Sequence, residues 1–554
     1  MRLPSLHVVS DHCFFDENDC RPTHDLHKGE PHRFSSVISS SCTSGTPAQT
    51  KETEAAASTG VWDPIVANTI DEKDCKSSYD CDICVVGAGC AGAAAAMYAA
   101  LSGASVVIMQ DDSEIICTAS SGSHAGVWNC KAGTDLGINW NIPADLQDFA
   151  DQATGNFNFK LVSKVISKSG DVIDWINDQL NVPDEDLFVN VVDGNHAGYT
   201  WIGEDGLWGV VKGMGQIAID KGATLLSGTR AVQLVGDKNE VSGIIGENSD
   251  GYVKVNVSKG VILCTGDVAD NEDILNEYLP IANDLNTERP NRVGQGDGTK
   301  MGLQIGAQLE SGPTNVQIHL VAAAQDVTDG NASTASYAGV PWLNVNVNGE
   351  RYMNENISYV NLGMSVALQP EHKTYQIFDS RWEEHVLDYP KAFFPTGEYG
   401  PIDDAVKAGV NTWSADTIEE LAAKAGLPKD ALTKTVDRYN ELVEKGIDED
   451  YGVDPELLKW NAIKEPPFYA VAYWPNVYTI GVGLVCNEDN QVINTDDEPI
   501  KGLYAAGNAG GSFFGYYYPV SGFSAAGVSH ALVGGPLAAA AALGKTLDDK
   551  LPTV

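Results

Sequence analysis

Residues 82–110, DICVVGAGCAGAAAAMYAALSGASVVIMQ, decide the fold. Ile83, Cys84, Val85 and Val86 form the short apolar run expected of a parallel strand buried on both faces. Gly87, Gly89 and Gly92 follow as G-x-G-x-x-G, then a small-residue helix, then a second apolar strand, ASVVIM. Glycine permits a tight turn, so the backbone, including that of Cys90 and Ala91, can approach a pyrophosphate closely. The helix N-terminus adds N–H donors and a partial positive charge. This β–α–β unit predicts a dinucleotide site. Its second strand ends in Gln110, where an acidic residue normally binds the ribose hydroxyls. An amide accepts from one hydroxyl and donates to the other. It forgoes a charge-assisted bond worth ~1 kcal/mol over a neutral one.

Outside this unit, the chain of 554 residues has room for a large core and more than one domain. Its 35 basic against 76 acidic residues leave a net charge of −41. That excess argues against nucleic acid and anionic membranes as partners, since both require basic patches. It would steer basic electron carriers toward the protein, and it serves general solubility equally. No apolar run approaches the ~20 residues of a membrane span. The opening MRLPSLHVVSDHCFFDENDC is not a signal peptide as written, and residues 1 to about 75 read as a disordered tether. As written the chain reads as soluble and cytoplasmic; an exported cell-envelope form follows if a start lies upstream. Cys75, Cys81, Cys84 and Cys90 have spacing an iron–sulfur or zinc site could use. Cys84 belongs to the strand and Cys90 to the glycine turn, so no metal is expected.

Three further segments carry the cofactor reading. GVILCTGDVADN (260–271) is a buried strand ending in Thr265, Gly266 and Asp267. GQGDGTKMGLQIGA (294–307) sets Asp297 in a glycine loop before a helix, and GLYAAGNAGG (502–511) ends a strand in Gly507 and Asn508. In this order the segments resemble the flavoprotein superfamily of fumarate reductases, succinate dehydrogenases, urocanate reductases and 3-ketosteroid dehydrogenases. The resemblance covers roughly residues 80–545. It implies an α/β fold: a Rossmann-like FAD-binding domain interrupted by a smaller α+β capping domain. The expected parts are a tether at 1–75, FAD-binding segments at 76–313 and 479–545, a cap at 314–478 and a tail at 546–554. TASSGSHAGVW (118–128) resembles the segment laid against the isoalloxazine, which nominates Thr118, Ser121 and Gly126. Cys117 stands where succinate dehydrogenases carry the FAD-linking histidine, so the resemblance implies noncovalent FAD.

On the substrate side, NVNGERYMNENISYV (346–360) matches the family pattern N-x-x-G-x-R-[FY]-x-N-E. The fumarate reductase proton donor is an arginine eight residues after the motif arginine; Arg351 plus eight is Tyr359. A carboxylate-binding histidine is replaced by Tyr478 in VYTIGVG, and a carboxylate-binding arginine by Tyr518 in GYYYPVSG. A dicarboxylate leaving water needs charge-assisted partners, and phenols do not supply them. The ketosteroid dehydrogenase branch has this pattern: a tyrosine aligned with Tyr359, and Y-P-x-x-G, whose tyrosine hydroxyl and glycine N–H hold a ketone. Here these are Tyr518 and Gly522. The amides of Phe523 and Ser524, at the start of the last helix, are implied to face the flavin.

The expected activity is FAD-dependent oxidation or reduction of a CH–CH/C=C bond conjugated to a ketone, on a 3-ketosteroid-like substrate. Reduction of a conjugated acid of cinnamate or fumarate type is one alternative. A flavin-bearing electron-transfer subunit is the other. An external electron donor or acceptor is required, and the sequence carries neither a second nucleotide fingerprint nor a C-x-x-C-H haem motif. Tyr516 and Tyr517 read as packing or channel wall, Arg351 with Glu355 as a structural ion pair, and His319 and His530 as satisfied core histidines.

Overall fold

The computed structural model describes residues 60–115, 124–192, 194–285, 294–311, 315–321, 340–382, 384, 406–407, 409, 411–459 and 461–554. Thr118 and Ser121 lie outside the described residues.

The glycine fingerprint sits where the sequence pattern places it. Strand β1 (Ser77–Val86) is exposed over its first four residues and buried at its end. The first helix (Cys90–Leu101) is buried along nearly its whole length. Strand β2 (Val106–Met109) pairs parallel with β1, Val86 opposite Met109. The small-residue helix is explained by what lies on it. A Cβ on Gly535 of the last helix (Ala526–Ala542) would come within 2.1 Å of the Ala91 carbonyl. The two helices therefore touch backbone to backbone.

Strands β3 (His124–Val127), β4 (Leu187–Val192) and β5 (His196–Trp201) form a small antiparallel sheet in the order β3–β5–β4. The main sheet adds β6 (Thr224–Leu226), β7 (Arg230–Gly236), β8 (Val241–Asn248) and β9 (Gly251–Leu263) to β1 and β2. A third, antiparallel sheet holds β10 (Asn315–Val321), β11 (Leu343–Val345), β12 (Thr374–Phe378), β13 (Thr412–Ala415) and β14 (Phe468–Gly481). The chain then returns to the main sheet as β15 (Gln491–Ile493) and β16 (Pro499–Ala505). The main-sheet order is β15–β16–β9–β1–β2–β6, with β16, β9, β1, β2 and β6 parallel and the β7–β8 hairpin against β9.

Register is what assembles the cofactor side. Val86 is opposite both Met109 and Leu263, and Leu263 is opposite Ala505. Four strands therefore end together at the carboxyl edge of the sheet, where ligands of open α/β sheets sit.

Residues 60–75, expected to belong to the tether, are packed against the rest of the chain. Trp62 is buried and donates to the Tyr278 hydroxyl (2.9 Å), and Ile70 N–H donates to Gln233 Oε1 (2.8 Å). Val61, Trp62, Ile65, Val66 and Ile70 give this stretch its apolar contacts. Among the described residues no helix is long and apolar enough to cross a membrane. No group of three or more His, Cys, Asp or Glu among them is placed to hold a metal.

Candidate active site

Past the aligned strand ends stand Gly87, Gln110, Thr265 and Gly507. Gly87 has φ +90°, and a Cβ there would lie 2.5 Å from the Cys264 carbonyl; one on Gly92 would lie 1.8 Å from the Gly87 carbonyl. The turn admits no side chain at either position. Gly89 is the N-cap of the first helix, with no side-chain cap bond. Its leading N–H groups thus present an uncapped anion site. Gln110 is buried, and its Oε1 accepts from the Ala88 N–H (2.8 Å). The side chain therefore braces the glycine turn through Oε1.

Thr265 Oγ1 accepts from Gly298 N–H (3.2 Å). Asp267 and Asn508, which the sequence nominated separately, are joined by an intermediary. Asn508 Nδ2 donates to Thr479 Oγ1 (2.9 Å), which donates to Asp267 Oδ2 (2.8 Å). Thr479 was missed, although it is the neighbour of Tyr478 in VYTIG. Asp297 is held by both arms of Arg230, Nε to Oδ2 at 2.7 Å and Nη2 to Oδ1 at 2.9 Å. No local signal marked Arg230. Gly126 anchors the last helix: its N–H donates to the Ala525 carbonyl (3.3 Å) and its carbonyl accepts from Ser529 Oγ.

One nomination needs correction. The Phe523 N–H donates to the Val520 carbonyl (3.0 Å), closing the turn, so it is not a donor for the flavin. Its ring instead stacks on Trp128 at 5.7 Å. Ser524 carries that expectation alone, beside the uncapped start of the last helix, where Ala525 is the N-cap at φ +61°.

Among the tyrosines, Tyr359 opens the helix Tyr359–Ala367 and Tyr478 lies in β14; both side chains are outside the described set. Tyr518 is buried and stacks on Phe514 at 4.1 Å. Burial pushes its phenol well above the ordinary range, although its oxygen meets the Gly527 N–H. It therefore stays protonated, and accepting from Gly527 leaves its own proton to give. Tyr517 is more than packing: its hydroxyl bonds to Ser358 Oγ, the residue just before Tyr359. Gly522 has φ +74°.

His530 is a core residue, stacked on Phe513 at 4.2 Å, but not a satisfied one. Neither ring nitrogen has a hydrogen-bond partner among the described residues, and burial lowers its pKa to about 3, keeping it neutral. The His319 side chain is outside the described set. Arg351 pairs with Glu355 as expected (2.9 and 2.7 Å) and also with Asp448 (3.0 and 2.7 Å), flanked by Tyr439 and Tyr451. Burial raises the Glu355 carboxyl. For Asp448 the cost of burial is outweighed by Arg351 and backbone donors, which draw it to about 2.

An uncapped helix start, a glycine cradle that no Cβ could share and a ribose-side amide on one sheet edge fit a flavin dinucleotide. A family model described as FAD binding domain matches residues 82–525. The chain belongs to this FAD-binding family. It is an FAD-dependent oxidoreductase related to fumarate reductases and ketosteroid dehydrogenases. It is 27% identical over 474 residues to a vinyl phenol reductase of Lactiplantibacillus plantarum, covering 79% of this chain and 91% of that one. It is 28% identical over 367 residues to a 3-oxosteroid 1-dehydrogenase of Mycolicibacterium smegmatis, covering 57% and 62%. The open conformation of a flavocytochrome c3 fumarate reductase shares the fold, with TM-score 0.65 and 23% identity over 85% of this chain and 79% of that one.

Proposed function

We propose that the protein reduces a C=C bond conjugated to a neutral carbonyl, with a 3-ketosteroid-like enone as the substrate class. The observation that carries this reading is the deployment of positive charge. Tyrosines stand at the three positions where fumarate reductases resembling this chain place cationic groups. Among the described residues, Arg230, Arg351, Arg381 and Arg438 are each bonded to carboxylates of the protein. Arg289 and Arg292 lie outside the described residues. Burying a dicarboxylate without paired cations costs several kcal/mol per charge, whereas a carbonyl gains its charge only in the transition state.

FAD, held by the glycine turn at Gly87–Gly92 and reduced by an external two-electron donor, would supply the hydride chemistry needed at the carbon β to the carbonyl. Tyr518, protonated at any working pH, donates to the carbonyl oxygen together with the Gly522 N–H. Tyr359 delivers the proton to the α carbon, a task for which a phenol of ordinary pKa near 10 is in the correct protonation state.

A second neutral alkene, a vinyl-substituted phenol, is favoured by the near full-length match to the vinyl phenol reductase. It would use the same donors on its phenol oxygen. The test is anaerobic reoxidation of the dithionite-reduced protein by progesterone, 4-vinylphenol, cinnamate or fumarate, followed by the returning flavin absorbance. Progesterone is expected to act fastest. Fumarate outpacing both neutral alkenes would end the neutral-substrate reading.

A further inference from the structure

Gly522 sits between two peptides, and both are held from outside their own turn. The Ser521 carbonyl accepts from Gln152 Nε2 (2.9 Å), and the Gly522 carbonyl from Asn195 Nδ2 (3.2 Å). In a trans peptide the N–H points opposite the carbonyl. Fixing the Ser521 carbonyl therefore aims the Gly522 N–H, and fixing the Gly522 carbonyl prevents rotation about the glycine. That constraint matters because a glycine at φ +74° has unusual backbone freedom.

Asn195 is itself fixed. An amide has two orientations that differ only by exchange of oxygen and nitrogen. Nδ2 also donates to Asp145 Oδ1 (3.1 Å), and Oδ1 faces His196 Nδ1 (2.8 Å). Only one orientation serves the Asp145 carboxylate and the Gly522 carbonyl with the same NH2 group, and it requires the proton on His196 Nδ1. His196 is fully buried, stacks on Trp128 at 4.6 Å, and is kept neutral by burial, with its pKa lowered to about 3. Neutral, it carries a single ring proton, and placed on Nδ1 that proton is given to Asn195 Oδ1. Asp145 and Gln152 share the helix Ile142–Ala153, so a single element braces both peptides.

We infer that Asn195 and Gln152 are positioning residues that set the substrate-binding geometry of the Gly522 turn, with Asp145 and His196 selecting the productive orientation of Asn195. This rests on the reading that Gly522 contacts substrate. It concerns residues 327 and 369 positions away from the turn they act on.

The test compares wild type, Asn195→Asp and Gln152→Ala in anaerobic single-turnover reoxidation by the enone, with rates expressed per bound FAD. Asp keeps the shape of Asn195 but cannot donate to the Gly522 carbonyl. The enone kcat/KM of Asn195→Asp is expected to fall about 10- to 100-fold, in line with the cost of a misplaced anchor. Gln152, on the exposed face, should cost about 3- to 10-fold when truncated. Reoxidation of the same reduced proteins by oxygen, which needs no carbonyl anchor, should stay at the wild-type rate. Enone kcat/KM unchanged in both variants overturns the inference while the enone reading stands. Equal losses with oxygen and enone also overturn it, since they indicate general damage. If Asn195→Asp does not fold, Gln152→Ala decides the matter. No turnover of any enone or vinyl phenol by wild type removes the reading and the inference with it.

Discussion

Around Gly87–Gly92 the groups offered to a ligand are peptide N–H donors, placed by a turn and a helix start. Around Tyr518–Gly522 the groups proposed to meet a substrate are phenols and one glycine turn, placed by side chains from distant parts of the chain. The two regions should therefore fail differently. In the first, adding a single methyl group is worse than altering any neighbouring side chain. In the second, single polar atoms matter and the backbone can be left alone.

The sharpest way to break the contrast is Gly92→Ala. Its Cβ has no room beside the Gly87 carbonyl, so the protein should purify without FAD, measured as flavin absorbance per polypeptide. Retention of stoichiometric FAD would remove the close-approach account of the turn. Tyr359→Phe should do the reverse, keeping FAD bound while enone turnover drops ~100- to 10,000-fold, the usual range for a lost general acid. Wild-type turnover in that variant would take Tyr359 out of the mechanism.

Arg351→Ala belongs to neither region. It leaves the Glu355 and Asp448 carboxylates buried without a cation, and should cost about 3 to 5 kcal/mol of stability in denaturant titration. A loss below 1 kcal/mol would show that the triad is not needed for stability.

A smaller effect is expected from Glu310, whose carboxyl accepts from Gly483 N–H (3.1 Å) and Ser512 N–H (2.5 Å). Burial lifts its pKa from 4.5 to about 7 despite those two donors. The folded state thus binds this proton more tightly than the unfolded one. Its contribution is complete below pH 4.5 and lost as pH rises through 7, roughly 2 to 5 kcal/mol in all. Thermal melts of wild type and Glu310→Gln should converge at low pH and separate toward pH 8, with the wild type showing the steeper decline. Parallel curves would refute the assignment. The smallest effect is Gln110→Glu, which keeps the acceptor for Ala88 and adds charge toward the ribose. FAD affinity should rise about fivefold, near 1 kcal/mol, in fluorescence titration.

The same contrast explains what could be read without coordinates. The Rossmann-like unit is legible because its geometry dictates residue type within thirty positions: glycine where no Cβ fits, small residues where helices touch. Tyr518 and Gly522 were nominated by resemblance alone. Asn195, Gln152, Arg230 and Thr479 were not, because each earns its role from a partner that only folding supplies. Asn195 gave no local sign at all. Thr479 had one, a hydroxyl beside Tyr478 on a strand leading back to the cofactor edge. Phe523 shows the opposite failure: its place at the start of the last helix implied an amide facing the flavin, and a turn hydrogen bond had already claimed it.

Glu310 also bears on how the β10–β14 sheet is fastened. It lies just before the excursion into the β10–β14 sheet, and its carboxyl grips Gly483, just after the return; Leu309 and Leu484 pair beside it. Departure and return thus share one doorway. The excursion is fastened at two further points, Thr479 to Asp267 and Ser358 to Tyr517, so a change inside it is felt at the sheet edge through those bonds.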